Sequence, residues 1–170
     1  MDGLFGIPGI PEGEVYHRGK PGKSKLFVYY SGHGLPTTAG KRNGYLVPID
    51  CKQQNFRISS YSMDTFYTNL NLVPARHITV VFDACFSGKS VDGDLITEVS
   101  GLIIPELKVG NFNDKTNHVI LTSSDGDQFS NWSPSEKRHG LFTYFFLKGL
   151  RGEADLNSNY RLLYTNYSRI

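Results

Sequence analysis

The sequence predicts an α/β domain with a mainly parallel sheet and helices on both faces. Three observations support that class. The run Ile78–Phe82 is short, apolar and rich in β-branched residues, as a strand buried on both faces should be. Leu26–Tyr30 (LFVYY) and His118–Thr122 (HVILT) read as two further apolar strands. A stretch with helical periodicity lies between the first two. Parallel neighbours need such a crossover, right-handed by the usual rule.

A chain of 170 residues is about the size of one domain. We expect a single domain over 1–170, with an irregular segment at 1–24, a core at 25–155 and a tail at 156–170. Hydrophobic residues make up 39% and aromatic residues 13%, enough for a core. Eighteen basic and sixteen acidic residues leave a net charge of +2, so nothing points to nucleic acid or a membrane surface. Two cysteines, Cys51 and Cys85, make no disulfide framework. The opening stretch has neither the charged region nor the apolar run of a signal peptide. No run approaches the ~20 apolar residues of a membrane span. The expectation is a soluble, cytoplasmic protein, with its oligomeric state left open.

Taken in order, residues 1–24 are rich in Gly and Pro and read as loop, with a short strand near Val15. Leu26–Tyr30 is followed by Ser31, Gly32, His33 and Gly34. Residues 36–43 form a polar loop, and 44–49 (GYLVPI) a short extended segment whose Pro48 suits a sheet edge. Ser62 is the N-cap of a helix with Asp64 in its first turn. Met63, Phe66, Tyr67 and Leu70 fall on one helical face, and Pro74 ends the helix. The Ile78–Phe82 strand runs into Asp83, Ala84, Cys85, Phe86, Ser87 and Gly88. Residues 89–117 are mostly loop, with a short apolar element at 102–107. After His118–Thr122 comes a polar loop, 123–137. Residues 140–150 (GLFTYFFLKGL) are apolar almost all round and read as a buried helix, and a short helix follows near Leu162.

The chemistry lies at the strand ends. His33 and Cys85 hold equivalent places after two similar strands. If those strands are parallel neighbours, both side chains project from one edge of the sheet, where α/β sheets carry their sites. A thiol is a modest nucleophile until a nearby cation or dipole favours the thiolate. A histidine can supply that cation, act as base and protonate the leaving amine. A lone cysteine is more often an inert core residue, and it is the matched histidine that shifts the balance. His17, His77, His118 and His139 have no comparable context.

The paired motifs YYSGHG and DACFSG resemble those of the caspase-like cysteine peptidases, with about 50 residues between histidine and cysteine. The likeness is to the metacaspase and prokaryotic, orthocaspase-type branch, since Asp83 stands where animal caspases have glutamine. It covers roughly residues 25–155. It implies the caspase-hemoglobinase sandwich, here without the usual first strand and helix ahead of the histidine strand. It implies a cysteine endopeptidase with His33 and Cys85 as the dyad. The backbone N–H groups of Gly34 and Cys85 would form the oxyanion hole. Asp83 and Ser31 would line the pocket for the residue before the cut, favouring Arg or Lys. Asp125 and Asp127 follow the third strand and add candidates there, although Asp-Gly-Asp is also ordinary turn chemistry.

No cofactor is required by this chemistry. Some metacaspases bind calcium through loop aspartates, and Asp50, Asp92 and Asp94 are the candidates, with turn residues as the plainer reading. No Cys/His spacing supports zinc. The partner expected is a protein or peptide substrate. Two alternatives remain: a weakly catalytic caspase-like binding or regulatory module, and a Cys–His amidase. Cys51 has no partner pattern and reads as structural or incidental.

Overall fold

The computed structural model describes residues 1–36, 44–52, 55–85, 89–90, 93–94, 117–123 and 140–155. The chain forms two compact units, residues 1–130 and 131–170. The first is built on a five-stranded sheet of order β3-β2-β1-β4-β7. Its parallel part joins β1 (Lys25–Pro36), β4 (His77–Cys85) and β7 (Asn117–Thr122). An antiparallel flank adds β2 (Gly44–Val47) and the two-residue β3 (Tyr61–Ser62). A separate small hairpin pairs β5 (Lys89–Ser90) with β6 (Gly93–Asp94).

The central strand carries the apolar pattern that predicted it. Ile78, Val80, Val81 and Phe82 in β4 are all fully buried, as expected of a strand with parallel neighbours on each side. The flanking strands are less enclosed. Phe27 and Tyr29 of β1 are exposed, and so is Val119 of β7. Among the described residues β7 pairs with β4 alone, and it is less enclosed than the third buried strand expected.

Helix α4 (Met63–Leu70) follows Ser62, in the position the cap signal marked. Met63, Phe66, Tyr67 and Leu70 are its buried face, the set that the 3.6-residue period selects. Phe66 is the hub of the core. Its ring meets Phe82 of β4 at 5.6 Å and Phe5 at 5.0 Å, both edge-to-face. Each such ring contributes roughly 1.5–3 kcal/mol by leaving water.

Phe5 belongs to the segment read as loop. That segment holds two short helices, α1 (Asp2–Phe5) and α2 (Glu14–Arg18), around a bridge between Ile7 and Ile10. Val15 lies in α2 and not in a strand. Glu14 and Arg18 stand one helical turn apart and pair at 2.6 Å, and Gly13 and Gly19 bracket the helix. Two buried polar groups fasten the segment to the core. Asn69 of α4 donates from Nδ2 to the carbonyls of Phe5 (2.9 Å) and Ile7 (3.2 Å). The Tyr61 hydroxyl donates to the Gly6 carbonyl at 2.8 Å.

Between β2 and α4 a short helix, α3 (Phe56–Ser59), turns the chain. In the second unit, α5 (Leu141–Lys148) passes into a π-helical turn, Gly149–Glu153. The helix is where the apolar run placed it, but its burial is not. Phe145 and Leu150 are more than half exposed, and Thr143 is the buried residue of α5. The loops expected at 37–43 and after 123, the element at 102–107 and the helix near Leu162 lie outside the described residues. Among the described residues no helix is long and apolar enough to cross a membrane.

Candidate active site

Both strands that carry the motifs run further than the apolar runs suggested. β1 continues through Ser31, Gly32 and His33 to Pro36, and β4 continues through Asp83 and Ala84 to Cys85. The reason is mutual pairing. The parallel register joins Ser31 to Asp83, Gly32 to Ala84 and His33 to Cys85 without a slip. Beyond His33 the β1 backbone is held on its other side by β2, with His33 opposite Val47 and Gly34 opposite Leu46. His33 and Cys85 are therefore register partners on adjacent strands, whose backbones lie about 4.8 Å apart. Ser31 and His33, two residues apart, share one face of β1, and their ladder partners on β4 are Asp83 and Cys85.

Exposure separates these residues. Ser31 and His33 are exposed, whereas Asp83 is only 5% exposed. Gly34 is buried within the ladder rather than in a loop. At the next strand over, Ser123 follows β7 and donates its backbone N–H to the Phe82 carbonyl at 2.9 Å. Asp125 and Asp127 lie beyond it, outside the described residues.

Tyr30 is a component the sequence reading passed over as one more apolar strand residue. Its hydroxyl accepts from the Val47 N–H at 3.1 Å. It faces the carbonyls of His33 (2.8 Å) and Val47 (3.1 Å), and its single proton goes to the nearer, His33. The phenol thus ties the histidine's own backbone to β2. Its ring packs edge-to-face on Phe82 at 6.2 Å. Burial pushes its pKa up to about 12, so it is a neutral donor at any physiological pH. Gly32 makes room for it, since a Cβ there would sit 3.0 Å from the hydroxyl oxygen and 3.1 Å from the ring carbon bearing it. A glycine two residues after a tyrosine in a strand was the available signal, because those two share a face.

A cavity of about 560 Å³ opens beside His33 on the β2 side. Tyr30, Ser31 and Gly32 of β1 line it, together with Cys51 and with Phe56 of α3. Cys51, read as structural or incidental, is half-buried there with Sγ 3.2 Å from the Ser59 hydroxyl.

Of the calcium candidates, Asp50 is exposed just after β2, Asp94 ends β6, and Asp92 is outside the described residues. Among the described residues no group of three or more His, Cys, Asp or Glu side chains could hold a metal ion.

The model of the caspase domain family matches residues 16–169, and the chain belongs to that family. Metacaspase-1B of Aspergillus fumigatus is 30% identical over 87 residues, covering 46% of this chain and 20% of that protein. Metacaspase-1A of Neurospora crassa is 32% identical over 84 residues, covering 46% of this chain and 18% of that protein. The chain thus spans about a fifth of the length of these curated relatives. No solved structure matches it. The mostly parallel sheet with flanking helices is the caspase-like α/β fold.

Proposed function

We propose that the chain is a cysteine endopeptidase that uses His33 and Cys85 and cuts after Arg or Lys. The carrying observation is the side-by-side register of His33 and Cys85 on parallel neighbours, with Ser31 and Asp83 paired two residues earlier. In this reading the Cys85 thiolate attacks the peptide carbonyl, and its Sγ–C bond forms as the C–N bond breaks. His33 gives its proton to the departing nitrogen, then takes one from the water that hydrolyses the thioester. Backbone N–H groups of Gly34 and Cys85 stabilise the oxyanion. Asp83 supplies a carboxylate for a guanidinium or ammonium, and Ser31 an exposed hydroxyl beside it. No cofactor enters these steps. Calcium at Asp50, Asp92 and Asp94 is a separate proposal, tested by activity and thermal shift with and without a chelator.

The test is labelling by an arginyl-peptide electrophile, followed by cleavage assays on variants. We expect Cys85 to be labelled, and Cys85→Ala and His33→Ala each to abolish cleavage while the protein stays folded. Cleavage by Cys85→Ala at the wild-type rate overturns the dyad. A Cys85 inert to the electrophile favours the binding module instead, and turnover of small amides alone favours an amidase.

A further inference from the structure

The proposed chemistry fixes a direction along the substrate. Attack comes from β4, and the proton reaches the leaving nitrogen from His33 on β1. The half of the substrate that departs must then lie on the His33 side, away from Cys85. β2 is the neighbour of β1 on that side, and the cavity opens there. Past His33 its lining turns apolar, through Leu35, Val47, Pro48, Ile49 and Phe56. Leu35 is fully buried and fixed by its ladder position opposite Tyr45, whereas Ile49 is fully exposed on the rim. Among the described residues that line the cavity there is no carboxylate, and Asp83 is not one of them. Ser31 borders both this cavity and the proposed arginine pocket, so the two subsites meet there; beyond Ser31 and His33 the described lining is chemically unlike an acidic pocket for arginine. Its size and apolar walls suit a large hydrocarbon side chain with a few polar groups to orient the backbone.

We infer that this cavity is the subsite for the residue immediately after the cut bond, and that it takes a large apolar side chain such as leucine or phenylalanine. The inference rests on the His33–Cys85 reading, because only the proton donor's position tells the two halves of the substrate apart. Its new content is a second specificity determinant, set by the chain around β2. An acidic or very small residue after the cut would leave that apolar surface uncovered.

Internally quenched peptides test it. They carry arginine before the cut and differ only in the next residue: glycine, leucine, phenylalanine or aspartate. We expect kcat/KM for leucine and phenylalanine to exceed that for glycine by about tenfold or more, with aspartate lowest. Ile49→Asp places a charge on the rim without disturbing packing, and Cys51→Trp fills the cavity. Each should bring the leucine-to-glycine ratio toward one. Ile58→Asp changes an equally exposed residue that does not line the cavity, and should keep the wild-type ratio. Equal turnover of the glycine and leucine peptides overturns the subsite while leaving the dyad standing. So does a wild-type ratio in both cavity variants. If no peptide is cut and the arginyl electrophile leaves Cys85 unlabelled, the dyad reading falls and the subsite falls with it.

Discussion

Replacing Tyr30 by phenylalanine should separate what holds the histidine from what surrounds it. The change removes one oxygen and leaves the ring on Phe82, so no cavity opens. Two hydrogen bonds go with that oxygen, from the Val47 N–H at 3.1 Å and to the His33 carbonyl at 2.8 Å. The site is only partly buried, so the freed backbone groups regain some hydration from solvent. The cost should then be about 1–2 kcal/mol, between a net hydrogen bond and a stranded buried group. For a chain of this size that lowers Tm by roughly 2–8 °C. The effect on catalysis should be larger in proportion. The Tyr30 hydroxyl holds the His33 backbone, and under the proposed mechanism loosening it disturbs the geometry of proton transfer. We expect kcat to fall about tenfold or more, with KM little changed, since misplacement of a reacting group by an ångström can cost a hundredfold.

The pH dependence gives an independent reading of the same hydroxyl, through its burial. The unfolded hydroxyl titrates near 10, while burial holds the folded one at about 12. A pKa raised by folding contributes stability that is complete below pH 10 and is lost as pH climbs toward 12. The urea midpoint of the wild type should therefore exceed that of Tyr30→Phe clearly at pH 8, and the gap should narrow by pH 11. Tyr61, likewise raised to about 12, declines equally in both proteins and cancels in the comparison. A gap that is constant across that range, or a variant with wild-type Tm and kcat, would refute the reasoning.

Two further perturbations probe the supports of the site. Asn69→Ala removes both hydrogen bonds to the Phe5 and Ile7 carbonyls and should cost about 1–3 kcal/mol. Hydrogen exchange should quicken at residues 1–10 first, and unchanged protection there would count against the fastening role. His118 has its pKa lowered by burial, so its contribution to stability is full above its ordinary value and fades as pH falls below it. Urea titrations between pH 7.5 and 5.5 should show a smaller decline for His118→Asn than for wild type, and parallel declines would reject that assignment.

The sequence announced the parts of the molecule whose signal is local. The α4 face, its cap at Ser62 and the buried β4 run all follow from periodicity and composition within a few residues. It was silent where structure depends on a distant partner. β1 and β4 outrun their apolar cores because each supplies the other's ladder, and no window of either run contains that information. The N-terminal helices are short and Gly/Pro-rich, and Phe5 is secured by Asn69, far along the chain. Tyr30 had the same obstacle. Its role depends on Val47, which reaches it only when β2 folds back. The His33 and Cys85 motifs were legible because each is a strand followed at once by a reactive residue, and the structure makes the two residues register neighbours. The apolar cavity was not, since its lining comes from β1, the end of β2 and α3 together.

The proposed role of Asp83 in specificity can be tried directly. Its carboxyl is 5% exposed beside the exposed Ser31. A carboxylate so enclosed has to be held by hydrogen bonds, which makes a merely structural role a real competitor. Asp83→Asn keeps shape and one acceptor while removing the charge. If the carboxylate faces the substrate, an arginine loses its ionic partner there. At a few ångströms and an effective dielectric near 20 that attraction is at most about 4 kcal/mol, before desolvation is subtracted. We expect the preference for arginine over glutamine before the cut to fall by roughly 10–100-fold, chiefly through KM. A structural carboxylate predicts the opposite pattern: a lower Tm with the preference intact. Paired peptides differing in that one residue, assayed alongside thermal melts, separate the two, and full arginine preference in Asp83→Asn removes Asp83 from the pocket.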